Sequence, residues 1–238
     1  MGRFVHKTYV LLNSITLPFS ILMGMVLLVF QPWFLQYEYS RSKFPPDQYG
    51  FSYEDRIQYG TASLLFITKN HPKEFLSNLT FDVVSPIYNQ RELDHMMDVQ
   101  VVFRNAKRIW IVFFFLYFFQ TLIFFRKPNF QLIIRQILTY GSQLTIVIFF
   151  FIFFVVIFAF DPFFQFFHQL FFTENSWLFY ENDTLIRLFP EKLWIDGFLI
   201  VSVLTIMTAL IFFLIGTDFS IFKKHSHRFN FLKFFRKG

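Results

Sequence analysis

Long apolar runs alternate along this chain with polar segments that hold nearly all of its charge. A helix needs about 20 mostly apolar residues to cross the hydrocarbon core of a bilayer, within a range of about 17–25. Four runs suit that length: 9–30, 109–125, 132–160 and 193–215. The second is sharply bounded, by Lys107 and Arg108 before it and by Arg126 and Lys127 after it. Pro18 lies inside the first, where it can kink a helix. That first run follows Arg3 and Lys7, as a secretory signal would, but QPWFLQYEYS stands where a small-residue cleavage site belongs. An uncleaved signal-anchor is the better reading. The pattern predicts an all-α membrane protein built as a four-transmembrane-helix bundle.

Composition agrees with that class. Hydrophobic residues make up 55% of the 238 positions and charged residues only 16%, against about 45–50% and about 25% in soluble domains. The 42 phenylalanines read as lipophilic filling, not as a cofactor box. The chain has no cysteine, which removes disulfides, thiolate nucleophiles and thiolate-bound metals. No cofactor and no metal are expected.

Charge sets the expected orientation. With four spans, residues 1–8, the loop 126–131 and the tail 216–238 share one side. Counting Arg135 with them, that side has eleven basic residues and one acid, Asp218, while the other has eleven basic residues and fifteen acids. The basic side is cytoplasmic by the positive-inside rule, so both termini are expected inside. The tail KKHSHRFNFLKFFRKG interleaves cations with phenylalanine, a pattern suited to holding it on an anionic leaflet rather than to binding metal or nucleic acid. Residues 31–107 become a small extracytoplasmic domain, with a helix near 53–68, and 161–192 an aromatic interfacial loop.

Two histidines stand in unusual company just outside the spans. His95 lies in RELDHMMDV, where helical spacing makes Glu92 and Asp98 its neighbours. A carboxylate beside the ring would fix its tautomer and raise its basicity. The plainer reading is a solvated juxtamembrane helix, and a single E-x-x-H falls short of the doubled motif of a carboxylate-bridged metal site. His168 lies in FHQLFF, among six phenylalanines; an ionisable group in such surroundings marks a functional site, against the alternative of a ring that merely bonds a backbone carbonyl. Downstream, Trp177 and Trp194 are expected to anchor the interface. Arg187 either pairs with Asp183 four residues earlier or faces a developing oxyanion, the pairing being slightly favoured. The chain has no G-x-S-x-G elbow, Walker loop, dinucleotide fingerprint or H-E-x-x-H. Chemistry alone points to a membrane enzyme with His95 and His168 as acid–base groups.

The motif E-L-x-H-M-x-D-V at 92–99 is followed by F-H-x-L-F-F, W-x-F, D-x-L-I-x-L-F-P and L-W-x-D across 167–196. Together they resemble the lipoprotein intramolecular transacylase family over nearly the whole chain. The resemblance implies a bacterial cytoplasmic-membrane enzyme with its site on the extracytoplasmic side. Its substrate would be a diacylglyceryl lipoprotein whose N-terminal cysteine has a free α-amine. It would move the sn-2 acyl chain to that amine, leaving the lyso form. The functional histidines would be His95 and His168, with Glu92, Asp98, Arg187 and Asp183 in support. Membrane lipids, but no nucleic acid, are expected partners. A membrane esterase or phospholipid acyltransferase, and a non-enzymatic lipoprotein-binding scaffold, are the competing readings.

Overall fold

The computed structural model describes residues 3–81, 84–126, 129–173 and 175–217. The expected leaflet-binding tail therefore lies, from residue 218 on, outside the described residues, as does Lys127. All described regular structure is helical: α1 (Arg3–Val29), α2 (Pro32–Ser40), α3 (Tyr53–Lys69), α4 (Glu74–Ser77), α5 (Gln90–Phe124), α6 (Phe130–Phe158), α7 (Phe160–Phe171), α8 (Thr184–Leu188) and α9 (Glu191–Thr217). A single antiparallel bridge joins Thr80 to Pro86. Among the described residues, four helices, α1, α5, α6 and α9, are long and apolar enough to cross a membrane.

The chain divides into two compact units. Among the described residues, the first comprises 3–25, 110–126, 129–153 and 202–217. Small residues and scattered polar bonds hold its helices together, as expected where lipid offers no hydrophobic drive between them. Val10 packs with Ile133, Ile137 and Tyr140, and Leu17 and Ile21 pack with Ala209. Tyr9 donates to Gln120 at 2.9 Å, Thr16 bonds Tyr117 at 2.7 Å, and Trp110 donates to the Ser20 carbonyl at 2.9 Å. Pro18 leaves α1 continuous but removes the N–H that would bond Ser14. Gly141 approaches that same Ser14 carbonyl: a Cβ there would lie 3.2 Å from the oxygen and 2.6 Å from Leu17 Cδ2. Phe114, Phe115, Phe118 and Phe119 remain exposed along α5, an arrangement that suits lipid and not water.

The second unit comprises Val26–Ile109 and Phe154–Val201. Its core gathers Phe66, Leu76, Tyr88, Leu93, Met96, Leu185 and Leu188 from α3, α4, α5, α8 and the segment before α5. Ser52 opens α3 with a capping box closed by Asp55, satisfying two end donors reciprocally. Asn70, in the left-handed conformation, ends it.

Two features differ from the divisions read in the sequence. The stretch bearing His95 and the second apolar run form one 35-residue helix, about 52 Å long at about 1.5 Å per residue, so its polar N-terminal turns project beyond a span. The segment read as an interfacial loop contains two helices. Ala159, at φ −148 and ψ 48, breaks the chain away from α6, and α7 and α8 follow.

Candidate functional site

Local sequence fixes where α5 begins. The Asn89 backbone N–H donates to Glu92 Oε2 at 2.8 Å, and the Glu92 N–H donates to Asn89 Oδ1 at 3.0 Å. This reciprocal cap satisfies two donors at the helix start. The other Glu92 oxygen accepts the Leu185 N–H at 2.8 Å, tying α5 to α8. From that start, Leu93, His95, Met96 and Gln100 fall on the buried side of α5. Spacing alone put Glu92 beside His95 as its orienting carboxylate, but Glu92 does not bond the ring: its two oxygens accept from the backbone N–H groups of Asn89 and Leu185.

On α7 the face bearing Phe163 and Phe167 packs edge-on against Phe198 of α9, at 5.2 and 5.9 Å. This seating turns His168 inward while Phe166, Leu170 and Phe171 stay exposed. His168 Nδ1 lies 2.8 Å from the Phe164 carbonyl oxygen. A carbonyl can only accept, so Nδ1 carries the proton and Nε2 of the neutral ring is the free base. Burial pushes this imidazole below the ordinary histidine range, partly opposed by the bond to Phe164.

The two histidines, 73 positions apart in sequence, face each other with ring centroids 6.2 Å apart and planes 22° from parallel. His95 is 8% exposed and His168 9%. Phe172 lies 4.9 Å from His95 and 5.6 Å from His168. Phe179 covers His95 at 5.4 Å, while Trp177 and Phe164 flank His168 at 4.8 and 4.0 Å. His95 Nδ1 is buried without a hydrogen-bond partner among the described residues. At this separation two positive rings would repel by roughly 2.7 kcal/mol at an effective dielectric of about 20, so the pair holds at most one added proton.

The supporting residues fall elsewhere. Asp98 is exposed and bonds neither histidine. Asp183 pairs with Arg91 at 2.9 Å, not with Arg187. Arg187 instead grips Asp47 through two bonds of 2.9 and 3.1 Å and lies over the Phe51 ring at 3.5 Å. Because the Asp183 carboxylate turns back to accept the Tyr180 N–H at 2.8 Å, spacing along α8 does not decide its partner. Trp177, expected only to anchor an interface, is a wall of the histidine site. Phe172 closes the F-H-x-L-F-F motif, whereas Arg91 and Phe179 carry no sign in the sequence beyond the RELDHMMDV and W-x-F motifs that hold them.

Among the described residues no three His, Asp or Glu side chains are grouped to hold a metal ion. An open groove of about 550 Å³ lies among Val156, Ala159, Asp161, Glu191, Ile195 and their neighbours, and neither histidine lines it.

Comparison with known proteins supplies the context for this pair. The family model for lipoprotein intramolecular transacylase Lit matches residues 11–194. A curated Aquifex aeolicus protein described as uncharacterized is 26% identical over 212 residues, covering 89% of this chain and 94% of its own. The solved structure of the membrane-integral lipoprotein intramolecular transacylase Lit from Bacillus cereus is similar in fold, with TM-score 0.72 at 16% identity over 89% of this chain and 94% of that one. A form of that protein with a histidine-to-arginine substitution matches at TM-score 0.64 and 15% identity, over 90% of this chain and 91% of that one.

Proposed function

Because this chain belongs to the lipoprotein intramolecular transacylase family, we propose that it moves the sn-2 acyl chain of a diacylglyceryl lipoprotein to the α-amine of the N-terminal cysteine. The observation that carries the reading is the His95–His168 pair, 6.2 Å apart in an aromatic pocket, with Nε2 of His168 free to accept a proton.

The chemistry requires little else from the protein. An α-amine has a pKa of about 8, so it must give up a proton as it attacks. Nε2 of His168 takes that proton as the amine nitrogen bonds to the ester carbonyl carbon. The tetrahedral intermediate then collapses, the bond to the sn-2 oxygen breaks, and that oxygen takes the proton back with His95 as the second acid–base group. The substrate supplies its own nucleophile, which accounts for a site without cysteine or an activated serine. Holding amine and ester together in a dry pocket supports the reaction further, since proximity contributes about 7–11 kcal/mol in favourable cases. Glu92 acts by setting the start of α5, and so the position of His95. The basic face is cytoplasmic and the histidine pair lies on the extracytoplasmic side of a bacterial cytoplasmic membrane.

The test is to incubate the purified protein with a diacylglyceryl lipopeptide and fragment the product by tandem mass spectrometry. An unchanged total mass, with an acylated N-terminus and a monoacyl glycerol, is the expected result. A product lighter by one acyl chain would make the protein an esterase. An unaltered lipopeptide, with folded protein and accessible substrate, would leave a binding scaffold.

A further inference from the structure

We propose that Arg91 and Asp183 latch the aromatic segment 175–183 over the two imidazoles, and that this latch makes the enzyme choose an amine over water as acyl acceptor. The inference rests on the transacylase reading above. Asp183 is the knot of the segment. Its Oδ2 accepts from Arg91 Nη2 at 2.9 Å and from the Tyr180 N–H at 2.8 Å, and its Oδ1 accepts from Asn89 Nδ2 at 3.0 Å. Arg91 adds a second hold, its guanidinium lying 5.2 Å from the centre of the Phe179 ring and 5.3 Å from that of Tyr180. A planar cation suits this double task of ion pair and ring stack.

What the latch holds down is the covering of the site. Phe179 lies 5.4 Å from His95, and Trp177 lies 4.8 Å from His168. Arg91 sits one turn before His95 on α5, so the segment is clamped to the helix that carries one of the histidines. Water has room nearby: an open polar depression of about 210 Å³ is lined by Asn89, Glu92, Asp183 and Thr184 among others, neither histidine among them, and each water takes about 30 Å³ in the liquid.

Water and the amine compete at the same carbonyl carbon. In the competing reaction a water oxygen bonds to that carbon, the bond to the sn-2 oxygen breaks, one water proton ends on that oxygen, and a free fatty acid leaves. A pocket that admits water to the imidazoles gains this reaction without losing the first. Arg91 and Asp183 are thus positioning residues for acceptor specificity, with no contact to the reacting atoms required.

The experiment compares wild-type protein with Arg91→Gln, Asp183→Asn and the double variant Arg91→Gln/Asp183→Asn, on a diacylglyceryl lipopeptide in oxygen-18 water. N-acylated lipopeptide and labelled fatty acid are both counted. The ratio of fatty acid to N-acyl product is expected to rise at least fivefold in each single variant and no further in the double variant, because the two residues act as one latch. An unchanged ratio, with both products falling together, overturns the latch. If either single variant does not fold, Tyr180→Ser removes one of the stacked rings at a 70% exposed position, and a ratio unchanged there overturns it as well. Wild-type protein yielding no N-acyl product would instead defeat the transacylase reading, and the latch with it.

Discussion

His168 donates through Nδ1 to the carbonyl oxygen of Phe164, one helical turn back, at 2.8 Å. That bond settles which nitrogen is available, because the donor nitrogen carries the proton and Nε2 keeps its lone pair. His168→Ala and His95→Ala are each expected to lower acyl transfer by about 10²–10⁴-fold, the usual worth of a positioned acid–base group. Initial rates on a diacylglyceryl lipopeptide, measured on folded variants, check this. Retained activity in either variant would remove that histidine from the chemistry.

Acidity should act on the fold through the same ring. Burial lowers the His168 pKa in the folded protein below the unfolded value, which is about 6.5. Between those two values the unfolded chain binds more protons, so this contribution to stability is complete above the unfolded pKa. It is lost progressively as pH falls toward the folded one. Melting temperatures in detergent should therefore drop between pH 7.5 and 5.5, and by less in His168→Gln. Equal drops in both proteins would show that other groups dominate.

Asp47 and Arg187 bind away from both imidazoles. Although burial opposes it, the bonds from Arg187 and from the backbone N–H groups of Phe51 and Tyr49 hold the Asp47 carboxyl below the usual carboxylate range. Asp47→Ala leaves the largely buried Arg187 without its carboxylate, and breaking such a pair costs about 3–5 kcal/mol. Denaturation of the variant should show a loss of that order. A change below about 1 kcal/mol would place the pair in the weak, solvent-screened class.

Helix packing in the first unit offers a contrast between two glycines. A Cβ at Gly141 would meet Leu17 at 2.6 Å, whereas one at Gly24 meets nothing within 4 Å. Gly141→Ala should destabilise by about 1–3 kcal/mol, the usual range for forced overpacking. Gly24→Ala should be neutral or slightly stabilising, by up to about 1 kcal/mol of helix propensity. Thermal melting of the two variants separates these outcomes.

Orientation is checked by labelling. Ser42→Cys and Ser226→Cys are expected to react with an impermeant thiol reagent from opposite sides of the membrane, the first from outside. The chain has no native cysteine to interfere. Labelling of both from the same side would undo the assignment of the site to the extracytoplasmic face.

By itself the sequence determined the helical class, the four long apolar helices and the family to which the chain belongs. Lipid selects for apolar length, which is a local property of the chain, and the motifs around His95 and His168 are local as well. The end of the third run, read at 160, falls within two residues of the break at Ala159, but the helix α7 that follows it was less legible. Only the tertiary structure decided which groups meet. Glu92 is three residues from His95 but bonds the backbone of Asn89 and Leu185; Arg187 passes over Asp183 for Asp47; and Asp183 takes Arg91. Spacing along a helix sets which side chains share a face, whereas buried donors and acceptors are satisfied by whatever the fold brings within about 3 Å. The pairing of His95 with His168 across 73 positions is decided in that way, by the seating of α7 against α9 and the capping of α5.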